Sequence, residues 1–290
     1  MGTVVRMTKM HGIGNDYVYV DCREYDLPEP PRVARAVARR HHGIGSDGLI
    51  LVRPSEHADC RMEMYNADGS RGEMCGNGIR CVAKYVWDRG LERNPMRIDT
   101  DDGVKTVTLA LDVDGRATGA AVDMGMPVLD GPRIPVASEG QVVDQPLEVA
   151  GMTWQITCVS MGNPHCVVFV PEVVSLDLEK IGPRFEHHPF FPKRVNTEFV
   201  ALRSPTELDF RVWERGSGET QACGTGACAA LVAGVLTGRT ERRATIHLRG
   251  GDLEVEWRAD DHVLMTGAAA EVFTADVDLE QLFVVTGTHA

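Results

Sequence analysis

The feature that most constrains this 290-residue chain is that it is written twice. MCGNGIRCVAKYVWDRG, beginning at Met74, aligns with ACGTGACAALVAGVLTG, beginning at Ala222, so that Cys75 falls on Cys223. The same offset of 148 residues carries GNDYVYV from Gly14 onto GNPHCVVFV from Gly162, and Gly48 in GLILV onto Asn196 in NTEFV. It also carries Asn66 in RMEMYNADGS onto Glu214 in FRVWERGSG, and Gly103 onto Gly251. A fixed register over so many separate motifs reports the fusion of two homologous halves, each contributing one C-G-x-G cysteine.

Secondary structure is therefore read once and checked twice. Residues 17–21, 49–52 and 62–65 are short β-branched, aromatic or apolar runs bounded by Gly, Asn or Asp, as are 166–170, 197–201 and 209–213, and all six read as strands. Helices are expected over 31–40, 76–89 and 224–237, the last ending at Gly238. VKTVTLALDV, and HLRGGDLEVEW with its Gly-Gly turn, alternate as antiparallel ribbons do. Each half is then a mostly antiparallel sheet carrying a helix whose first turn follows the key cysteine, which makes the class α+β.

Composition narrows the function. Lys, Arg, Asp and Glu make up 25% of the residues and the net charge is −12, which disfavours a nucleic-acid partner. The N-terminal residues have no apolar core with a cleavage site, and no apolar run nears bilayer-spanning length, so a cytoplasmic protein without a membrane partner is expected. In that setting the eight cysteines should be reduced, most of them as small core residues. No C-x-x-C occurs and the histidine doublets 41/42 and 187/188 lack matched ligands nearby, so no structural zinc is expected.

GIGSDG, at Gly43 to Gly48, fits the dinucleotide fingerprint but stands in the wrong order, with a helical stretch before it and a strand after it. A helix cap and turn needing glycines is the better reading. The paired C-G-x-G is the stronger signal. A thiol at a helix N-terminus meets unpaired N–H groups and the positive end of the helix dipole, which favour thiolate, and the glycine after it lets a ligand approach the backbone. Pseudo-twofold packing of the halves would bring both helix starts to one cleft. Such a cleft suits proton transfer at a carbon next to a carboxylate, with one thiol taking the proton on one face and the other returning it on the opposite face. His165 is either an aid to thiol ionisation or a hydrogen-bonded histidine at a strand start. Glu214 and Arg215 suit a substrate amine and carboxylate, or else a surface ion pair. Asn15, Asn66, Asn163 and Asn196 are turn residues whose recurrence at repeat-equivalent places favours ligand contact.

Through HGIGNDYVYVD, YNADGSRGEMCGNGIRC, MGNPHC, NTEF and ERGSGETQACGTGACA the chain resembles the diaminopimelate epimerase family over nearly its whole length. The resemblance implies interconversion of LL- and meso-2,6-diaminopimelate, on the route to lysine and peptidoglycan, without pyridoxal phosphate, metal or other cofactor. It implies a homodimer whose protomer has two related domains, each a curved sheet or barrel around a central helix, with the active site in the cleft between them. The last residues return to the first domain, so the expected domains are 1–123 with 271–290, carrying Cys75, and 124–270, carrying Cys223. Cys75 and Cys223 become the acid/base pair, with His165 and Glu214 in support. Gly76, Asn77, Gly224 and Thr225 present backbone N–H groups to the reacting carboxylate, and Asn15, Asn66, Asn163, Asn196, Glu214 and Arg215 contact substrate. Some relatives carry a contacting glutamine where this chain has Gly48. Two other readings stand beside this one: a two-cysteine racemase of the proline racemase type, which typically carries histidine where this chain has Asn77, and a small-molecule binding protein on the same fold with inert thiols.

Overall fold

A computed structural model of the protein describes residues 3–72 and 74–288; residues 1–2, 73 and 289–290, which include both ends of the expected first domain, lie outside the described residues. The chain forms two compact units, Met1–Val122 with Gly267–Ala290, and Asp123–Thr266. In chain order the elements begin with β1 (Val4–Gly12), β2 (Asn15–Asp21), α1 (Pro30–Ala38), β3 (Gly48–Arg53) and β4 (Cys60–Asn66). Then come β5 (Arg71–Gly72), α2 (Gly76–Trp87), β6 (Met96–Thr100), β7 (Gly103–Leu111) and β8 (Ala117–Asp123). The second series is β9 (Gln145–Val149), β10 (Met152–Ser160), β11 (Pro164–Phe169), α3 (Leu178–Glu186), β12 (Asn196–Ser204) and β13 (Glu207–Glu214). It continues through β14 (Gly218–Glu219), α4 (Gly224–Leu236), β15 (Arg243–Leu248), β16 (Gly251–Trp257) and β17 (Val263–Ala268), and the chain closes with β18 (Ala270–Asp278) and α5 (Leu279–Thr286).

Within the first unit the ladders β1–β2, β1–β18, β3–β4, β6–β7 and β7–β8 are antiparallel. The two parallel pairs, β2–β3 and β4–β6, are each spanned by a helix, α1 and α2. Parallel neighbours need such crossovers, since a tight turn can only reverse the chain. The second unit repeats the scheme, with parallel β11–β12 bridged by α3 and β13–β15 by α4. Even the register repeats at the 148-residue offset. Tyr17 opposes Gly48 as His165 opposes Asn196, Cys60 opposes Ile98 as Leu208 opposes Ile246, and Thr100 opposes Gly103 as Leu248 opposes Gly251. The last pair places the hairpin connection at Arg249-Gly250, with Gly251 opening β16, rather than at the expected Gly-Gly. One hairpin differs between the halves: Gly12 opposes Asn15 across a two-residue turn, whereas Ser160 opposes Pro164 across three residues, which puts Asn163 in the loop.

Each curved sheet encloses its central helix. α2 lies against β1, β2, β6, β7 and β18, and α4 against β10, β11, β12, β15 and β16. α4 is Ala-rich and buried from Gly226 to Gly234, and a helix apolar on every side has nowhere to go but a core. α1 ends at Ala38 rather than at Arg40 because the next turn bends back, Gly43 N–H donating to the Arg39 carbonyl and Gly45 N–H to that of Val37. GIGSDG is thus a helix end and turn leading into β3. In the first unit Val33, Val37, Leu49 and Leu51 share an apolar cluster with Leu279 and Leu282 of α5. The second unit's cluster centres on Trp154, Phe185 and Phe199, whose rings meet edge to face. Among the described residues no helix is long and apolar enough to cross a membrane.

Candidate active site

Both C-G-x-G cysteines stand as the residue that caps a buried helix, in extended conformation, at φ −134° for Cys75 and −124° for Cys223. The extended cap turns the side chain back over the first helical turn, where the N–H groups lack intrahelical acceptors. Cys75 Sγ accepts from Gly78 N–H at 3.4 Å, while Cys223 Sγ lies 3.6 Å from Thr225 Oγ1. Of the eight thiols Cys75 alone is half-buried; the other seven are buried. Burial pushes Cys22 and Cys81 up to about 11 and Cys60 up to about 12, so these core thiols hold their protons.

In the first unit Cys75 Sγ donates to Asn15 Oδ1 at 3.3 Å, and Asn77 Nδ2 reaches the same oxygen at 3.4 Å. Asn15 is aimed from behind: its Nδ2 donates to Asp47 Oδ2 at 2.8 Å, and Asp47 also accepts from Arg40 at 2.8 Å. Burial and the neighbouring Asp16 hold the Asp47 carboxyl above its usual range. Asn77 is fixed by Arg80, a fully buried guanidinium that donates to Asn77 Oδ1 at 2.9 Å and to the Gly76 carbonyl at 3.0 Å. Asn66 hydrogen-bonds within its own turn, from Nδ2 to Ser70 Oγ at 3.0 Å. At Gly48 a Cβ would stand 2.1 Å from the Tyr65 carbonyl oxygen, so this backbone has no room for the contacting glutamine that the resemblance brought to this position.

In the second unit His165 is buried and both its nitrogens are engaged, Nδ1 by Glu198 Oε1 at 2.7 Å and Nε2 by Asn163 Oδ1 at 2.9 Å. Glu198 is in turn one of the carboxylates that act on the Cys223 thiol. Asn196 is buried and ties two strands together, donating to the Pro164 carbonyl at 2.9 Å and accepting from Arg215 N–H at 2.9 Å. The Arg215 side chain is exposed and Glu214 is half-buried, bonded by the Thr220 hydroxyl. Burial, then the carboxylates of Glu214 and Glu198, push the Cys223 thiol well above its ordinary value against the pull of Thr225 and Gly226 N–H. This corrects the expectation, drawn from helix-start chemistry alone, that both thiols are biased to thiolate. At Cys223 desolvation and two carboxylates outweigh the hydrogen bonds of the helix start.

Glu198, Asp47 and Arg80 were not among the sequence candidates. Glu198 had a visible signal, being an acid within the apolar run that follows Asn196 and alternating with it onto the same face of β12. The halves differ at just these places. The repeat sets Ile50 opposite Glu198, Tyr17 opposite His165, and Cys228 opposite Arg80. A buried cation underlies the helix start of Cys75, and a buried carboxylate that of Cys223.

Comparison with known proteins bears on the family. A family model described as "Diaminopimelate epimerase" matches residues 7–129 and 157–272. A diaminopimelate epimerase of Acetivibrio thermocellus is 55% identical over 96% of this chain and 100% of that protein. One of Moorella thermoacetica is 53% identical over 95% and 100%, and one of Methanococcus maripaludis 48% identical over 95% and 100%. Among solved structures, a hydroxyproline epimerase from Agrobacterium vitis superposes with a TM-score of 0.70 at 13% identity, covering 96% of this chain and 94% of that one. A PhzF-family phenazine biosynthesis protein of Bacillus anthracis gives 0.67 at 17%, covering 95% and 99%. At such identities the solved structures share the fold alone, whereas half of the residues are shared with the epimerases. The chain belongs to the diaminopimelate epimerase family.

Proposed function

We propose that the protein interconverts LL- and meso-2,6-diaminopimelate by a two-thiol mechanism, with Cys75 and Cys223 as acid and base, supplying lysine and peptidoglycan synthesis. The observation that carries this is the recurrence of a helix-capping cysteine at the same register of both halves, in a chain half identical to diaminopimelate epimerases over nearly its full length. Inversion needs a thiolate to take the α-proton on one face while a thiol gives a proton on the other. One S–H bond forms as the other breaks, and the thiols end with their states exchanged.

The intermediate places negative charge on the α-carbon and its carboxylate. Two helix N-termini, at ~0.5 charge each, supply on the order of one positive charge there, through the N–H groups of Gly76, Asn77, Gly224 and Thr225. With Arg80 beneath its helix and Gly78 N–H donating to its sulfur, Cys75 is suited to act as the resting base, and Cys223, held protonated by its surroundings, as the acid. Asn66, Asn163, Asn196, Glu214 and Arg215 would bind the second amino-acid head, Arg215 with its exposed guanidinium and Asn196 by holding the Arg215 backbone. The enzyme would act as a cytoplasmic homodimer. An assay over diaminopimelate, proline, hydroxyproline and other amino acids, with no cofactor added, tests the substrate. Turnover of diaminopimelate alone is expected, and turnover of proline without it would move the protein to the proline racemase group.

A further inference from the structure

The Cys223 half contains a buried carboxylate that its fold does not need. At the matching position of the first half stands Ile50, and that half builds the same ladders without a charge there. Glu198 is wholly buried on β12, and among the described residues no atom hydrogen-bonds its Oε2. Burying a carboxylate opposes folding even with His165 and the Cys166 and Glu198 N–H groups beside it, so its presence asks for another reason.

Its surroundings suggest one. Asn163 Oδ1 accepts from His165 Nε2, which therefore carries a hydrogen. A single proton then lies between Nδ1 and Glu198 Oε1, on the nitrogen of an imidazolium facing a carboxylate or on the oxygen of an acid facing a neutral ring. On its other side Glu198 reaches the start of α4. A Cβ at Gly226 would stand 2.8 Å from Glu198 Oε1 and 3.2 Å from Cys223 Sγ, so the missing side chain leaves carboxylate and thiol bordering one gap. At Gly78, the equivalent glycine of the first half, the corresponding neighbour is Ile50 Cδ1 at 2.7 Å.

We infer that Glu198 is a positioning residue for the Cys223 step, locking His165 in the Nε2–H form that holds Asn163 and setting the charge that the thiol of Cys223 faces. The inference rests on the reading of Cys223 as an acid/base group. The charged and titratable groups around that thiol are Glu214 on β13 and Glu198 on β12, with His165 on β11 paired to the latter. When ionised, both carboxylates raise the proton affinity of Cys223, and His165 draws Glu198 towards that form against its burial, so neutralising Glu198 lowers that affinity, and the alkaline limb that reports loss of the Cys223 proton moves to lower pH.

The test compares the full-length parent with Glu198→Gln and Glu198→Ile, the residue of the first half, measuring kcat, KM and Tm against pH. A fall on the order of 10-fold or more in kcat is expected, with KM little changed and the alkaline limb displaced downwards. Parental kcat and an unmoved limb in Glu198→Gln would overturn the proposal. If neither variant folds, ¹⁵N NMR of the parent's imidazoles decides: a His165 ring protonated at Nε2 from pH 6 to 9 supports the proposal, and an unprotonated Nε2 contradicts it. A parent inactive on diaminopimelate would instead remove the proposed function, while the imidazole spectrum would still report the His165 geometry.

Discussion

A cysteine is a poor base when buried and a good one when something stabilises its thiolate, and the eight thiols here span that range. Cys22, Cys60 and Cys81 are buried and keep their protons, whereas Cys75 is half-buried over the open end of α2. Iodoacetamide at pH 8 should alkylate Cys75 first in the native protein and leave Cys22, Cys60 and Cys81 until unfolding, and diaminopimelate should protect Cys75. Mass spectrometry of the digested protein checks this, and early labelling of Cys60 would contradict it. The paired cysteines were legible because a motif repeated at fixed spacing is visible in one dimension. Asp47 and Arg80 were not, and Glu198 showed only as an acid in an apolar run, because each acts on a residue brought to it by strand register or helix winding: Asp47 on Asn15, Arg80 on Asn77, Glu198 on His165. The same limit explains the Cys223 result, since a helix start can be read from sequence but the carboxylates facing it cannot.

At the scale of elements the repeat held more than was drawn from it, since the helix expected over 31–40 was not carried onto the second half. α3 hides behind Gly182 and Pro183, which argue against a helix, yet it occupies residues 178–186, offset by 148 from α1 at 30–38. Gly182 is needed there because a Cβ would enter the Trp213 ring, at 2.2 Å from its Cδ2. The hairpin before β11 was not legible, as the offset runs unbroken through it while the strand pairing slips by one residue. Glycines at element starts make separable predictions. Gly48→Gln drives a Cβ against a backbone carbonyl that cannot swing aside, and should cost about 1–3 kcal/mol of stability, read as a lower urea midpoint. Gly226→Ala meets instead the ends of the Glu198 and Cys223 side chains, so it should lower kcat while changing the midpoint less than Gly48→Gln does. The opposite ranking would mean that the gap at Gly226 serves packing alone.

At the scale of the molecule the chain is a duplication that kept its backbone and changed its buried charges. Ladder registers agree between the units almost throughout, while Arg80 has no charged counterpart in the second half and Glu198 none in the first. A reaction that inverts one carbon calls for two similar sites with opposite resting protonation, and on the proposed mechanism the shared fold with unequal charges would supply both. The most direct test is α-hydrogen exchange on diaminopimelate in deuterium oxide, without added cofactor, for the parent, Cys75→Ala and Cys223→Ala. The account predicts that the parent incorporates deuterium at the α-carbon as LL and meso isomers interconvert, and that each single variant loses interconversion. Interconversion surviving in either variant, or a parent that exchanges proline but not diaminopimelate, would contradict it.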